Sequence, residues 1–547
     1  MRSTRRMLSL LLAVFLLAAL LAGCKKSEED PELRTLSVSV CGPLETLDPA
    51  MNTGAGAESV LSALFEGLMR MRDDGSGGAA AAAGVAKEYL EEKNYDDTVT
   101  YTFTLRSAAR WSDGRRVSAE DFVYAWQRLV DPATDSPNAE LLRMVSGYDE
   151  VRKTGDVSAL GVRADGDSTF IVTLSEPCAY FIRSVCTAPA AAPLRRDLVE
   201  SGEDWASTAA IVTNGAFRVE TWVKSARLQL ARNEEYYESR LIVPDMLCFR
   251  LDLDEQTGYD ALLAGELDYV SSLPYAAAEA LAEDESRQPQ PLARTQCVLY
   301  NHLTDAFSDA QVRRAFELAL DRASISSWAG AAASAATGCV PEGVSGVTGE
   351  ESFRTAGGTL CAVDEEGFAE RSTEAARLLA AAGHYQGAGL DGLRLLFVDG
   401  EAERATAAAL RGMWKNALGV EVELVDVPSD EFSERLSSGD FDLALTTFSA
   451  RCDDAMEFLL PFCGTSADNV SGYRNDTFDL LIGVAASTGD ENARAAFLHD
   501  AESMLLDDCA VSPLTFSRSS ALLRDGLRGL GQDCLGRSYF FNVSEAG

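Results

Sequence analysis

The chain has 547 residues, of which 46% are hydrophobic, and its formal net charge is −37 at pH 7. This length exceeds what one hydrophobic core usually supports, so we expect two or three globular domains. The strongly acidic composition argues against nucleic acid or an anionic membrane surface as a partner, and solubility is its simplest interpretation.

The N-terminus is predicted to be a targeting segment. Three arginines precede an apolar run, residues 7–21, that is too short to span a bilayer as a helix of the mature protein. The sequence LAGC at residues 21–24 resembles the lipobox of bacterial lipoproteins, in which the cysteine is acylated. This resemblance implies a lipoprotein signal peptide over residues 1–24, lipidation of Cys24, and a polar tether over residues 25–34. Ordinary secretory cleavage is the alternative.

The first half of the chain alternates strands with short loops. Residues 36–40 alternate apolar and polar side chains, which predicts a strand, and residues 75–84 are a low-complexity stretch that we interpret as a loosely ordered turn. Residues 99–105 alternate aliphatic or aromatic residues with threonines, which predicts a strand with one apolar face. Ser118 stands three residues before Asp121, which is typical of a capped helix start.

The second half predicts an α/β lobe. Residues 297–301 read as an extended segment that crosses between lobes near Tyr300, and we expect the return near Asp508. Residues 308–311 read as a capping box for the next helix. Strands and helices then alternate, which is typical of a parallel, doubly wound sheet. The predicted elements are a strand over 393–398, a helix over 401–418, a strand over 420–425, a helix over 430–436, and a strand over 441–448.

Several sequence motifs together resemble one protein family. YTFTLR, WSDG, AEDFVYAWQR and DPATDSP occur in this order within residues 98–137, and LDPA, FEGL and NGAF occur elsewhere. They resemble the oligopeptide-binding proteins of ABC importers, the peptide/nickel-type, family 5 extracellular solute-binding proteins. The resemblance implies a two-lobed α/β fold of the periplasmic-binding-protein type II, with an additional smaller inserted α+β domain.

The resemblance also implies the domain limits. Lobe I would comprise residues 35–63, 194–299 and 510–547. The inserted domain II would comprise residues 64–193, and lobe III residues 300–509.

The implied function is transport. Two lobes would close over an oligopeptide and deliver it to the permease of an ABC importer, and the monomeric protein would be held by its lipid anchor at the extracytoplasmic face of the cell membrane. A non-peptide anionic solute, a transport-independent sensor lipoprotein and an extracytoplasmic hydrolase are the alternatives.

The loop after the strand 441–448 is the main candidate binding site, because ligands of open α/β sheets bind beyond the carboxyl ends of strands. Peptide binders of the family carry WxADY here, and the aspartate pairs with the ligand's ammonium group. The resemblance places Phe448 at the tryptophan and Arg451 at the aspartate, with Ser449 between them. This reverses a charge and favours a carboxylate or phosphate. Asp453 or Asp454 would restore the ammonium contact if the loop is shifted; otherwise both simply turn the chain.

Other site residues follow from the resemblance alone. Asn138 occupies a position where the family has a tyrosine, and Thr53 and Ala55 fall where family members run beside the ligand backbone. Some members have a disulfide between the regions of Cys297 and Cys452, so a bond between these two is expected, with free buried thiols as the alternative.

Catalytic and metal motifs are absent from the sequence. The three histidines, His302, His384 and His499, lack HExxH spacing, and neither a GxSxG elbow nor a phosphate-binding loop occurs. Only the acids Asp453, Asp454 and Glu457 suggest a hard-cation site. The sequence therefore predicts a binding protein without catalytic residues, metal or cofactor. No Cys-x-x-Cys motif occurs among the twelve cysteines, which we interpret mostly as small buried apolar residues.

Overall fold

The structure is a computed structural model that describes residues 34–546, apart from residues 41, 43, 203, 283–288, 329–331 and 348–350. The expected signal peptide, Cys24 and all but the last residue of the expected tether lie outside the described residues. Within the described part of the chain, no helix combines the length and the apolar character needed to cross a membrane.

Lobe I is built on a six-stranded mixed sheet. Thr35–Ser39 pairs in parallel with strands on both sides, and the remaining pairs are antiparallel. The strands lie in the spatial order Leu522–Leu523, Tyr269–Val270, Thr35–Ser39, Met246–Arg250, Arg227–Arg232 and Phe217–Val223. The helices of this lobe are Ala55–Leu64, Arg196–Val199, Glu255–Leu263 and Tyr275–Ala282.

Domain II contains a four-stranded antiparallel sheet. Its central strand Val99–Leu105 buries every second residue, as the alternating pattern predicted. The helix Ala119–Val130 begins with the predicted capping box, in which Ser118 and Asp121 bind each other's backbone N–H groups. The sheet order is Ala86–Lys93, Val99–Leu105, Thr169–Leu174 and Val162–Ala164, and a further helix is Tyr148–Thr154.

The low-complexity stretch is not a loose turn. Ala79–Ala83 forms a strand paired antiparallel with Met69–Asp73, so only the residues between them turn the chain. Short side chains carry almost no periodic signal, which explains why the sequence pattern missed this hairpin.

Lobe III is built on a second six-stranded mixed sheet. Arg394–Val398 pairs in parallel with Glu423–Val427 and with Leu443–Ser449, whereas the other pairs are antiparallel. The predicted parallel arrangement is therefore confirmed for the three strands from which it was inferred, and the other strands make the sheet mixed. The spatial order is Ala333–Ala335, Val511–Arg518, Pro291–Tyr300, Leu443–Ser449, Arg394–Val398 and Glu423–Val427.

The chain crosses between the lobes at different points from those expected. Pro291–Tyr300 lies at the centre of the lobe III sheet, between Leu443–Ser449 and Val511–Arg518. The first crossing therefore precedes Pro291 and the second follows Arg518, instead of lying near Tyr300 and Asp508. Lobe III accordingly includes residues 291–299 and Val511–Arg518, which the expected domain limits place in lobe I.

The helices of lobe III cover both faces of its sheet. Asp309, rather than Ser308, caps the helix Ala310–Leu318, because its carboxylate accepts from the N–H of Gln311. The helices are Asp305–Ser308, Ala310–Leu318, Arg322–Trp328, Phe353–Gly357, Phe368–Ala381, Glu401–Leu418, Ser429–Ser438, Met456–Leu459, Asp476–Ser487 and Glu491–Asp507. After the second crossing, short strands pair Leu527–Arg528 with Ser544–Glu545 and Gly531–Gln532 with Ser538–Tyr539.

Candidate ligand-binding cleft

Two adjoining cavities lie between the lobes. The first, which we call the sheet cavity, has a volume of about 560 Å³ and separates lobe I from the lobe III sheet. The second, the loop cavity, has a volume of about 390 Å³ and is bounded by lobe I, domain II and the loop after Leu443–Ser449. Ala55, Arg294 and Ser449 line both cavities, so the two form one continuous cleft.

The floor of the sheet cavity is part of one face of the lobe III sheet. Successive side chains of a strand point to opposite faces, so residues at every second position line the cavity. Cross-strand pairing places Arg294 opposite Ser449, and Gln296 opposite both Thr447 and Thr515. Besides the apolar Leu292 and Ala333, the strands contribute polar side chains to this face: Arg294, Gln296, Thr447, Ser449, Thr515 and Ser517.

Asn138 holds a loop of lobe I at the mouth of the loop cavity. Its Nδ2 donates to the backbone oxygens of Ala50, at 3.2 Å, and Asn52, at 2.7 Å. This contact fixes the segment that presents Thr53 and Ala55, and all three predicted residues line the loop cavity. The asparagine amide thus positions the loop through its donors.

Arg451, which replaces the family's aspartate and reverses its charge, is paired with a carboxylate. The backbone N–H and the Nε–H of Arg451 donate to Oε2 of Glu457, at 3.1 and 3.2 Å. The arginine side chain is 64% exposed, whereas that of Glu457 is 9% exposed. Both residues line the loop cavity, so Glu457, in the helix Met456–Leu459 that follows the loop, presents its carboxylate to the cleft.

Asp453 and Asp454 are engaged elsewhere. Asp454 is 1% exposed and forms a two-point ion pair with Arg494, with both N–O distances 2.8 Å. The Asp453 carboxylate accepts from the backbone N–H and the hydroxyl of Ser345. Neither residue lines the sheet cavity or the loop cavity, so the structure gives no support to an ammonium contact by either.

Phe448 also points away from the cleft. It alternates with Thr447 and Ser449, which face the sheet cavity, and its ring packs 5.6 Å from that of Phe462. The structure therefore gives no support to the predicted binding role of Phe448, because the strand turns this side chain towards the lobe III core.

The expected disulfide between Cys297 and Cys452 is not formed. Every cysteine that the structure describes is a free thiol, and most are buried, as predicted. Cys297 belongs to the lobe III core and lies beside Cys339, whose pKa is raised by that contact and by burial. The pKa of Cys452 is also raised, mainly by burial and by the charge of Glu457.

The suggested cation site has no structural basis within the described residues. No group of three or more histidine, cysteine, aspartate or glutamate side chains there is arranged to hold a metal ion. Asp454 and Glu457 instead bind arginines.

Two α/β lobes joined by two crossing segments, with a polar cleft between them, define the class of solute-binding proteins. The chain belongs to the bacterial extracellular solute-binding proteins, family 5, whose model for the middle region matches residues 82–469. Comparison with known proteins thus agrees with the motifs.

Individual relatives cover nearly the whole chain. The periplasmic oligopeptide-binding protein OppA of Escherichia coli is 30% identical over 97% of this chain and 98% of its own length. The probable deoxycholate-binding periplasmic protein YgiS of the same organism is 30% identical over 88% of each chain. The unliganded open form of the periplasmic murein tripeptide-binding protein MppA superimposes with a TM-score of 0.79 at 26% identity, covering 94% of this chain and 98% of the other.

Proposed function

We propose that this protein captures oligopeptides in the cleft between its lobes and delivers them to the permease of an ABC importer. The observation that carries the proposal is the continuous cleft itself, which adjoins lobe I, domain II and lobe III and whose two cavities have volumes of about 560 and 390 Å³. The 30% identity to an oligopeptide-binding protein over almost the whole chain supports it.

In this proposal, peptide main chain is bound by backbone groups and small polar side chains, so the sequence of the peptide matters little. Glu457 receives the ammonium group, because it lies in the short helix after the candidate loop and its carboxylate lines the cleft. The exposed Arg451 side chain moves aside when the ammonium group replaces it. Closure of the lobes is a hinge motion that the ligand favours by contacting both lobes at once.

The test is to identify what the protein retains from its host. The full chain is expressed and purified without denaturation, then denatured, and the released small molecules are identified by mass spectrometry. Mixed short peptides are expected. A single non-peptide compound released in stoichiometric amount would contradict the proposal.

A non-peptide anionic solute is the second candidate. It is favoured by the identity to YgiS, a probable deoxycholate-binding protein, and by the arginine at the position of the family's ligand-binding aspartate. Thermal-shift measurements with deoxycholate and with tri-alanine would separate the two candidates, because only a bound ligand raises the unfolding temperature.

In this proposal, the protein acts as a monomer that is anchored through acylated Cys24 at the extracytoplasmic face of the membrane. Expression of the full chain beside Cys24→Ser should give a membrane-bound wild type and a variant released from the membrane fraction. Equal distribution of the two would contradict the anchor.

A further inference from the structure

Arg294 occupies the centre of the cleft. It is the charged residue of the strand Pro291–Tyr300 and lies on the face that looks towards lobe I. It lines both the sheet cavity and the loop cavity, so any solute that spans the cleft passes this side chain.

The Arg294 guanidinium forms no hydrogen bond or ion pair within the described part of the chain. Three other arginines of the cleft form ion pairs. Arg451 binds Glu457, Arg518 binds Glu342, and Arg537 binds Asp533. Burial lowers the pKa of Arg294 from its usual value, and no carboxylate among the described residues offsets that effect. A partly desolvated and unpaired cation costs folding free energy, and such a group is typical of a binding site.

The neighbours of Arg294 are suited to an oxygen-rich group. Ser449 lies directly opposite it, and Gln296, two residues along the same face, lies between Thr447 and Thr515. The Gln296 Oε1 atom is buried and has no hydrogen-bond partner among the described residues. A buried acceptor without a donor is rare and indicates a missing partner.

The acidic residues of the sheet cavity do not neutralise Arg294. Glu255 accepts a hydrogen bond from the hydroxyl of Ser272, at 2.6 Å, and Glu403 lies on the cavity wall contributed by a lobe III helix. Neither forms an ion pair with any described residue.

We propose that Arg294 is the specificity-determining residue of the cleft and binds a carboxylate group of the solute, while the Gln296 Oε1 atom accepts a hydrogen bond from an N–H group next to that carboxylate. An arginine presents paired N–H donors that match the two oxygens of a carboxylate. In a peptide, either the C-terminal carboxylate or an acidic side chain supplies this group. The inference rests on the proposed function, because it requires that a solute enters this cleft.

The experiment compares defined peptides by isothermal titration calorimetry on the full chain. The probes are tri-alanine, tri-alanine amide, and Ala-Glu-Ala amide, which carries its only carboxylate on the side chain. The variants are Arg294→Met, which removes the charge at similar length, and Arg294→Lys, which retains it. Arg377→Met is the matched control, because Arg377 is an exposed arginine of the same lobe that pairs with Glu374.

The wild type and Arg377→Met are expected to bind one of the two carboxylate peptides at least tenfold more tightly than tri-alanine amide. Preference for tri-alanine identifies the C-terminal carboxylate, and preference for Ala-Glu-Ala amide identifies the side chain. Arg294→Met should bind all three peptides with the affinity of the amide, and Arg294→Lys should retain part of the preference. A wild type that binds all three equally, or an Arg294→Met variant with an unchanged preference, overturns the assignment of Arg294 and leaves peptide binding intact.

A thermal-shift measurement with succinate separates this inference from the proposed function. If no peptide binds, peptide capture fails, and the carboxylate site then stands only if succinate raises the unfolding temperature of the wild type and not of Arg294→Met. If succinate shifts neither protein, both proposals fail. In the absence of any ligand, Arg294→Met should unfold at a higher temperature than the wild type, because the unpaired charge is gone, and a lower temperature would count against the inference.

Discussion

Asp454 lies in the loop that the sequence predicts to bind a ligand, yet its carboxylate is buried in lobe III. It is 1% exposed and its partner Arg494 is 10% exposed. Replacing the aspartate by alanine would leave a buried guanidinium without its principal counter-charge. We expect Asp454→Ala to lower the free energy of unfolding by about 3–5 kcal/mol, measured by urea denaturation.

An exposed ion pair provides the control for this prediction. Arg377 and Glu374 form a salt bridge on the surface, with both side chains largely in solvent. Glu374→Ala should therefore change the free energy of unfolding by less than about 1 kcal/mol. If the two variants lose equal stability, the Asp454–Arg494 pair is not buried as the structure describes it.

His302 makes stability depend on pH. Burial, together with the charge of Arg313, lowers its pKa from 6.5 to about 4. Between these two values the unfolded chain binds a proton that the folded protein does not, so stability falls as the pH falls through this window. We expect this histidine to contribute a loss of up to about 3 kcal/mol by pH 4, measured by urea denaturation at pH 7 and pH 4.

The variant His302→Gln tests the assignment. The His302 Nε2–H donates to the backbone oxygen of Ala510, at 3.1 Å, and a glutamine amide retains a donor without titrating. The variant should therefore lose less stability than the wild type between pH 7 and pH 4. An identical loss would show that other groups carry the whole dependence.

At the residue scale, the motifs of the sequence indicated candidate site residues. They did not indicate the contacts of those residues, because the contacts depend on the path of the chain. The reversed charge at Arg451 was visible, but its pairing with Glu457 required knowledge of the turn between them. Arg294 and Gln296 were missed because polar residues at alternate positions interrupt the apolar pattern of a central strand. Their side chains face a cleft instead of a core, so the strand appeared to begin only at Cys297.

At the scale of elements, the helix Glu401–Leu418 contains one glycine and is ended by another. Gly419 has a φ of 73°, and a Cβ atom added there would lie 2.8 Å from the backbone oxygen of Gln386. Gly412 lies inside the helix, and an added Cβ would meet nothing within 4 Å. We expect Gly419→Ala to destabilise the protein by about 1–3 kcal/mol.

Gly412→Ala is the matched comparison within the same helix. Alanine has the higher helix propensity and meets no steric obstacle, so this variant should gain about 0.5–1 kcal/mol. Both changes are measured as shifts of the thermal unfolding midpoint. Shifts of the same sign would contradict the different roles assigned to the two glycines.

Long periodic elements were predictable from the sequence. The limits of the strand Val99–Leu105 and of the helix Glu401–Leu418, and the start of the helix Ala119–Val130, were all expected within a residue or two of the observed ones. Ala79–Ala83 was not, because its strand conformation depends on pairing with Met69–Asp73 rather than on its own pattern. Pairing partners far apart in sequence also decide which strands of lobe III run antiparallel.

At the scale of the whole molecule, domain II touches lobe III directly. The Arg183 Nε–H donates to the backbone oxygen of Asp453, at 2.9 Å, and the Asp453 N–H donates to the Ser184 hydroxyl, at 2.9 Å. The Lys93 ammonium donates to the backbone oxygen of Gly489, at 3.1 Å. These contacts join the two sides of the cleft away from the crossing segments, so a wider opening of the lobes must break them.

Arg183 is the side chain through which this contact can be weakened selectively, because its guanidinium also lies 3.5 Å from the Asp453 and Asp454 carboxylates. Arg183→Met should populate more widely separated lobes, which small-angle X-ray scattering would record as a larger radius of gyration. A contact that contributes about 1 kcal/mol changes the ratio of the two forms about fivefold. Arg163→Met, at an exposed position of the same domain, is the control.

The same variant links the domain contact to ligand affinity. A solute that contacts both lobes binds the form in which they are close together. A fivefold fall in the ratio of this form to the form with separated lobes therefore weakens the apparent affinity by up to about fivefold. Calorimetry with tri-alanine should therefore show a higher dissociation constant for Arg183→Met than for Arg163→Met. An unchanged constant together with an unchanged radius of gyration would mean that the crossing segments alone hold the lobes in place.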